Sequence, residues 1–135
     1  MPERAVGVIR YVLLFTLLYY VLMTAFGLIV ISTGIHLSAM NIVGLLVAST
    51  CVALWFIRKH GRLFSRSEYL KILIGSVFVD LAMELGFVAI NSGRISFDRW
   101  PGMLNIFGGH ALLLALAYSP WSWIVRAYYK RVASP

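Results

Sequence analysis

Cysteine is almost missing from this chain: Cys51 is the only one in 135 residues. That excludes an intrachain disulfide framework and any zinc site built on several thiolates. Inside its apolar run Cys51 is expected to be a small buried hydrophobe. Acidic residues are scarce as well, with 5 Asp and Glu against 12 Lys and Arg, and charged residues make up only 13% of the chain. A soluble domain carries about 25%. Gly-x-Ser-x-Gly, His-Glu-x-x-His and a phosphate-binding Gly-rich loop are all absent, so no nucleophile elbow, zinc-hydrolase helix or phosphate cradle is offered. The chain therefore reads as non-enzymatic, and no cofactor or metal is implied. Internal repeats, low-complexity tracts and domain boundaries are also lacking, which leaves a single unit, 1–135.

The most telling absence is local. From Tyr11 to Ile57, 47 residues pass without one Asp, Glu, Lys or Arg. A transmembrane helix needs about 20 apolar residues, so this run is long enough for two with a turn between them. Hydrophobic residues reach 61% and the mean hydropathy is +0.86, more apolar surface than a fold of this size can hide from water. The expectation is an all-α integral membrane protein. Its first span covers about residues 11–32 and its second about 38–57, joined by a turn drawn from Ser32, Thr33, Gly34, His36, Ser38 and Asn41. The first stretch, at about 22 residues, exceeds the 7–15 of a signal-peptide core, so it reads as a retained helix.

A basic segment, 58–66, follows. Beyond it Ser65 and Glu68 have the spacing of a capping box at a helix start. A third span is expected over about 67–90, closed by Asn91-Ser92-Gly93, and a fourth over about 103–125, which Pro120 should kink or shorten. Ten of the 12 basic residues then fall on one side, and only Arg94 and Arg99 on the other. By the positive-inside rule both termini and the 58–66 loop are cytoplasmic. The expected architecture is thus a four-helix membrane bundle, N-in and C-in, in a bacterial inner membrane. Trp55, Trp100, Trp121 and Trp123 stand near span ends, where amphipathic rings prefer to lie.

The net charge of +7 would suit nucleic acid, but the basic residues sit in short clusters between long uncharged runs, so lipid is the expected partner and nucleic acid is not. Arg58, Lys59, Arg62 and Arg66 read first as topology determinants only, with binding of anionic lipid headgroups as the alternative. His36 and His60 lack ligand neighbours at helical spacing and read as surface groups. Gly44 and Ala48 form a small-xxx-small pair suited to close helix packing; Gly75 and Val79 do so poorly.

Span three holds the unusual feature. At 100° per residue, Ser76, Asp80, Glu84 and Asn91 share an arc of about 80°. A carboxylate at mid-bilayer costs about 2.5–3.5 kcal/mol on insertion scales, so this stripe must face the bundle interior, water or another subunit. Two carboxyls one turn apart cannot both be ionised cheaply there, and the pair is expected to share one proton near neutral pH. Counting outward from the second outer loop places His110 of span four at the depth of Glu84, which predicts a Glu84–His110 contact. Such a cluster serves either a proton or cation site or hydrogen-bonded packing between helices.

Small multidrug resistance pumps have the same size and span number, but they carry their essential carboxylate in the first span, which is uncharged here. The stretch Phe56-Ile57-Arg58-Lys59-His60-Gly61-Arg62, followed by Ser65-x-x-Glu68 and a third span, resembles a family of small proteobacterial four-span inner-membrane proteins. Some members resemble immunity proteins encoded beside secreted interbacterial toxins. The resemblance implies a chain that binds a pore-forming toxin within the bilayer, with the small-residue faces and the polar stripe as contact surface. The other expectations are a small proton-coupled transporter or efflux protein using Asp80 and Glu84, which implies a homo-oligomer, or an accessory subunit of a membrane complex.

Overall fold

A computed structural model of the chain describes residues 7–34, 40–92, 100–119 and 122–133. Among them the fold is all-helical, with five helices: α1 Ile9–Thr33, α2 Met40–His60, α3 Arg66–Ser92, α4 Trp100–Tyr118 and α5 Trp123–Ala133. Two of these, α1 and α2, are long and apolar enough to cross a membrane.

Local chemistry explains where the helices stop. α1 ends at Gly34, whose φ of 69° lies in the left-handed region and whose N–H donates to the Val30 carbonyl at 2.8 Å, a termination that glycine permits without steric cost. The expected turn therefore begins here, although Asn41 belongs to α2 rather than to the turn, and His36 and Ser38 lie outside the described residues. α2 continues through Arg58, Lys59 and His60, so the expected loop 58–66 begins three residues later, at Gly61 with φ 63°. Cations in a last helical turn complement the carbonyl end of the helix dipole, which accounts for the extension. The capping box is formed as expected: the Ser65 N–H donates to Glu68 Oε2 at 2.9 Å and the Glu68 N–H to Ser65 Oγ at 3.3 Å. α3 runs on through Asn91 and Ser92, past the expected end at 90.

The expected helix 103–125 is two helices. α4 stops at Tyr118, and α5 starts at Trp123 after a turn in which the Ser122 N–H donates to the Ser119 carbonyl at 3.0 Å. Pro120 falls in this interval and has no N–H with which to continue an α-helical ladder.

Four helices close into a ring in the order α1, α2, α4, α3, with α5 packed on α2. Side-chain pairs give the directions. Tyr11 meets His60 while Met23 lies beside Gly44, so α1 and α2 are antiparallel. Val12 adjoins Gly75 and Tyr19 reaches Asp80, so α1 and α3 run parallel. Tyr69 donates to the Ala115 carbonyl and His110 meets Asp80, so α3 and α4 are antiparallel.

The core is built on aromatic and small residues. Tyr11, Phe15 and Tyr19, spaced by four, form the inward stripe of α1, facing Gly44, Leu45, Ala48, Val52, Phe56 and other buried residues of α2. Gly44 and Ala48 thus lie at the packed interface their spacing predicted. A Cβ on Gly44 would meet its neighbours at 3.5 Å, whereas one on Gly75 would stand 2.7 Å from Val12 Cγ2. Gly75 is therefore the described glycine with the least room for a side chain, although Gly75 and Val79 match the small-xxx-small pattern poorly. Around the outside the pattern inverts: Leu17 and Leu28 on α1, Ile74 and Phe78 on α3, and Leu112 and Leu116 on α4 are all more than half exposed. Cys51 is exposed too, contrary to expectation, because it shares the outward face of α2 with Trp55.

Candidate functional site

Ser76, Asp80 and Glu84 of the α3 stripe each bond to a different part of the ring. Ser76 Oγ lies 2.9 Å from the Tyr118 hydroxyl at the end of α4. One turn on, Asp80 holds two partners: the Tyr19 hydroxyl of α1 donates to Oδ1 at 3.0 Å, and His110 Nδ1 of α4 lies 2.9 Å from Oδ2. A further turn on, Glu84 Oε1 accepts from Asn41 Nδ2 of α2 at 2.9 Å. α3 is therefore a polar spine hydrogen-bonded to all three other helices of the ring. Asp80 is 1% exposed, Ser76 0% and His110 6%, while Glu84 is half-buried. No buried side-chain nitrogen or oxygen of the described residues is left without a partner.

The expected Glu84–His110 contact is replaced by Asp80–His110, and Glu84 turns instead to Asn41. Matching depths on antiparallel spans bring His110 within one turn of its carboxylate, but two acids on the same face differ in depth by only that turn. The three groups remain close: one ligand atom each from Asp80, Glu84 and His110 lies within 4.8 Å of the others. Asn91 sits in the last turn of α3, and its side chain lies outside the described residues. Tyr19 and Asn41 are site residues that sequence reasoning missed. Asn41 looked like turn chemistry. Tyr19 carries a faint signal, the spacing of Tyr11, Phe15 and Tyr19 on one helical face within an otherwise aliphatic run.

Beside this cluster a cavity of about 280 Å³ opens, lined by Tyr19, Tyr20, Met23, Thr24, Asn41, Met83 and Glu84. It touches one carboxylate directly, through Glu84, and the other through Tyr19, whose hydroxyl joins the wall to Asp80. Two aromatic rings, two thioethers and a carboxylate are the groups that attract a desolvated organic cation. The volume falls just short of the usual range for small-molecule sites.

At the other end of the bundle the basic residues divide into two sets. Arg62 turns inward, donating to both oxygens of Glu68 at 2.8 Å each, with its guanidinium 5.3 Å from the centre of the Phe56 ring. Glu68 stands in the charged first turn of α3, before the apolar stretch that starts at Ile72. The Arg62 guanidinium holds its carboxyl down at about 2, against the burial that would raise it. His60, expected at the surface, is half-buried against Phe56, 2.7 Å from the Tyr11 hydroxyl. Arg58, Lys59 and Arg66 remain exposed.

No protein-family model, curated protein or solved structure matches the chain.

Proposed function

We propose that this protein is a non-enzymatic membrane protein of the bacterial inner membrane, crossing it four times with both termini cytoplasmic. Its polar centre exchanges a proton for a small organic cation, as a transporter or efflux protein does. The inside-out distribution supports the membrane placement: Asp80, Ser76 and His110 are buried while large aliphatic and aromatic side chains cover the outside, the reverse of a water-soluble fold. The alternating helix directions fit four crossings, with α3 and α4 completing what α1 and α2 begin. The observation that carries the functional reading is the cavity beside Glu84, joined through Tyr19 to the Asp80–His110 pair. A cation entering it takes the place of a proton at the Glu84 carboxyl on the cavity wall, and the Tyr19 hydroxyl links that wall to Asp80.

Calorimetric titration of the full chain in detergent with benzyltrimethylammonium tests this, run in two buffers of different ionisation enthalpy. The expected result is release of about one proton per cation bound near pH 7 and loss of binding in Glu84→Gln. A wild type that does not bind the cation, or a Glu84→Gln variant that binds it equally well, overturns the reading.

The immunity role implied by the family resemblance needs a laterally exposed contact surface. Ser76, Asp80, Gly44 and Ala48 are all turned into the bundle, so a toxin would have to meet the aliphatic outer faces of α1, α3 and α4 instead. Protection of cells against a membrane-acting toxin that survives Asp80→Asn but fails on Leu17→Arg would favour that reading over transport.

A further inference from the structure

Residues 51, 54, 55, 58 and 59 recur at intervals of three and four, which places them on one face of α2. That face is the opposite of the packed one: Val52, Ala53, Phe56 and Ile57 are fully buried, whereas Cys51, Trp55, Arg58 and Lys59 are exposed. Where α5 crosses this side of α2, Tyr128 closes a groove of about 710 Å³ with Cys51, Leu54, Trp55, Arg58 and Lys59. The groove is chemically graded along the helix. Its two cations stand at the cytoplasmic end of α2, its indole and Leu54 about one turn deeper, and the Cys51 thiol about one turn deeper again.

The two cations have no acidic partner among the described residues. Three carboxylates are described, and each is engaged elsewhere: Glu68 with Arg62, Asp80 with His110 and Tyr19, Glu84 with Asn41. Two cations side by side without a counter-charge, above an apolar channel with an interfacial Trp, are complementary to a molecule with an anionic head and an aliphatic tail. A soluble anion would leave the Cys51–Leu54 wall unused, and a zwitterionic lipid would meet the cations with a headgroup of no net charge.

We infer that the α2–α5 groove is a binding site for one anionic phospholipid, its phosphate on Arg58 and Lys59 and an acyl chain along Leu54 and Cys51. The site rests on the membrane placement proposed above but not on the cation site, from which it shares no residue. Bound lipid would fasten α5 to α2.

The full chain in detergent is titrated with dioleoylphosphatidylglycerol, dioleoylphosphatidylcholine or glycerol 3-phosphate. Binding is read by native mass spectrometry and by the rate at which a maleimide alkylates Cys51, the only thiol present. Phosphatidylglycerol is expected to bind one-to-one about tenfold more tightly than phosphatidylcholine and to slow Cys51 alkylation, while glycerol 3-phosphate does neither. The double variant Arg58→Gln/Lys59→Gln changes two exposed side chains and should keep the fold, and its preference should fall to within about twofold. Equal binding of both lipids, protection of Cys51 by glycerol 3-phosphate, or a double variant that keeps the preference overturns the proposal. Benzyltrimethylammonium binding at Glu84, measured on the same preparations, separates failure of this site from failure of the cation site.

Discussion

Asp80 concentrates the energetics of this molecule in one side chain. A buried carboxylate is tolerable only when its hydrogen bonds are made, and Tyr19 and His110 make them from two different helices. Removing one partner leaves the others buried and unsatisfied, which costs about 1–3 kcal/mol for a neutral group and more for a charged one. His110→Ala should therefore lower the melting temperature of the detergent-solubilised protein more than Asp80→Asn, which keeps a group able to bond both neighbours; a His110→Ala variant that melts with the wild type would show that the Asp80–His110 contact does not carry this stability. The Arg62–Glu68 pair supplies the pH dependence. With the Glu68 carboxyl held at about 2, below its ordinary 4.5, the pair adds stability that is complete above about pH 4.5 and is lost as pH falls towards 2. Thermal melts from pH 6 to pH 2 should show this loss in the wild type, and a smaller one in Glu68→Gln, where no carboxylate remains to be protonated at this position.

Helix packing sets the next scale. α1 and α3 run parallel and touch at Gly75, where an added methyl would stand 2.7 Å from Val12 Cγ2. At Gly44 the same methyl would meet only ordinary contacts at 3.5 Å. Gly75→Ala is thus expected to destabilise the protein by about 1–3 kcal/mol through overpacking, and Gly44→Ala by much less. Trimming the obstacle with Val12→Ala should restore most of the loss at Gly75. Denaturant melts of the three variants and the double variant check this, and equal effects at the two glycines would show that α1 and α3 are not in close contact. The two glycines differ for a definite reason. A small-xxx-small spacing reports small residues on one helix, whereas the close approach at Gly75 arises from the β-branched Val12 on another.

At the scale of the molecule, charge and apolar surface of the described residues are sorted by end and by face. The exposed Arg58, Lys59 and Arg66 and the basic residues of α5 gather at the end where α2 finishes and α3 begins, while Asp80, Glu84 and Asn41 lie deeper in the ring. If that end is cytoplasmic, a fluorescent protein fused after residue 135 should glow and an alkaline phosphatase fused there should stay inactive; active phosphatase would invert the topology. Reversing the charge at Arg58, Lys59 and Arg66 together should weaken the orientation, because these residues flank the short α2–α3 loop, and basic residues beside the ends of spans are the ones the positive-inside rule weighs.

Some of this was legible from the residues alone. The 47-residue uncharged run, the capping box and the Gly34 stop are local features, set by hydropathy and backbone sterics, and they do not wait on tertiary contacts. The single-face stripe of Ser76, Asp80 and Glu84 is equally local, since helical geometry assigns a side chain to a face. What a face meets is another matter. That His110 bonds Asp80 and not Glu84, that Asn41 leaves the turn to serve Glu84, that Tyr19 joins the cluster, and that Arg62 turns inward while Arg58 and Lys59 face out were decided only when the ring closed. These pairings depend on the rotation and axial offset of each helix against its neighbours. A shift of one turn, about 5.4 Å, leaves each helix's own pattern intact while exchanging its partners.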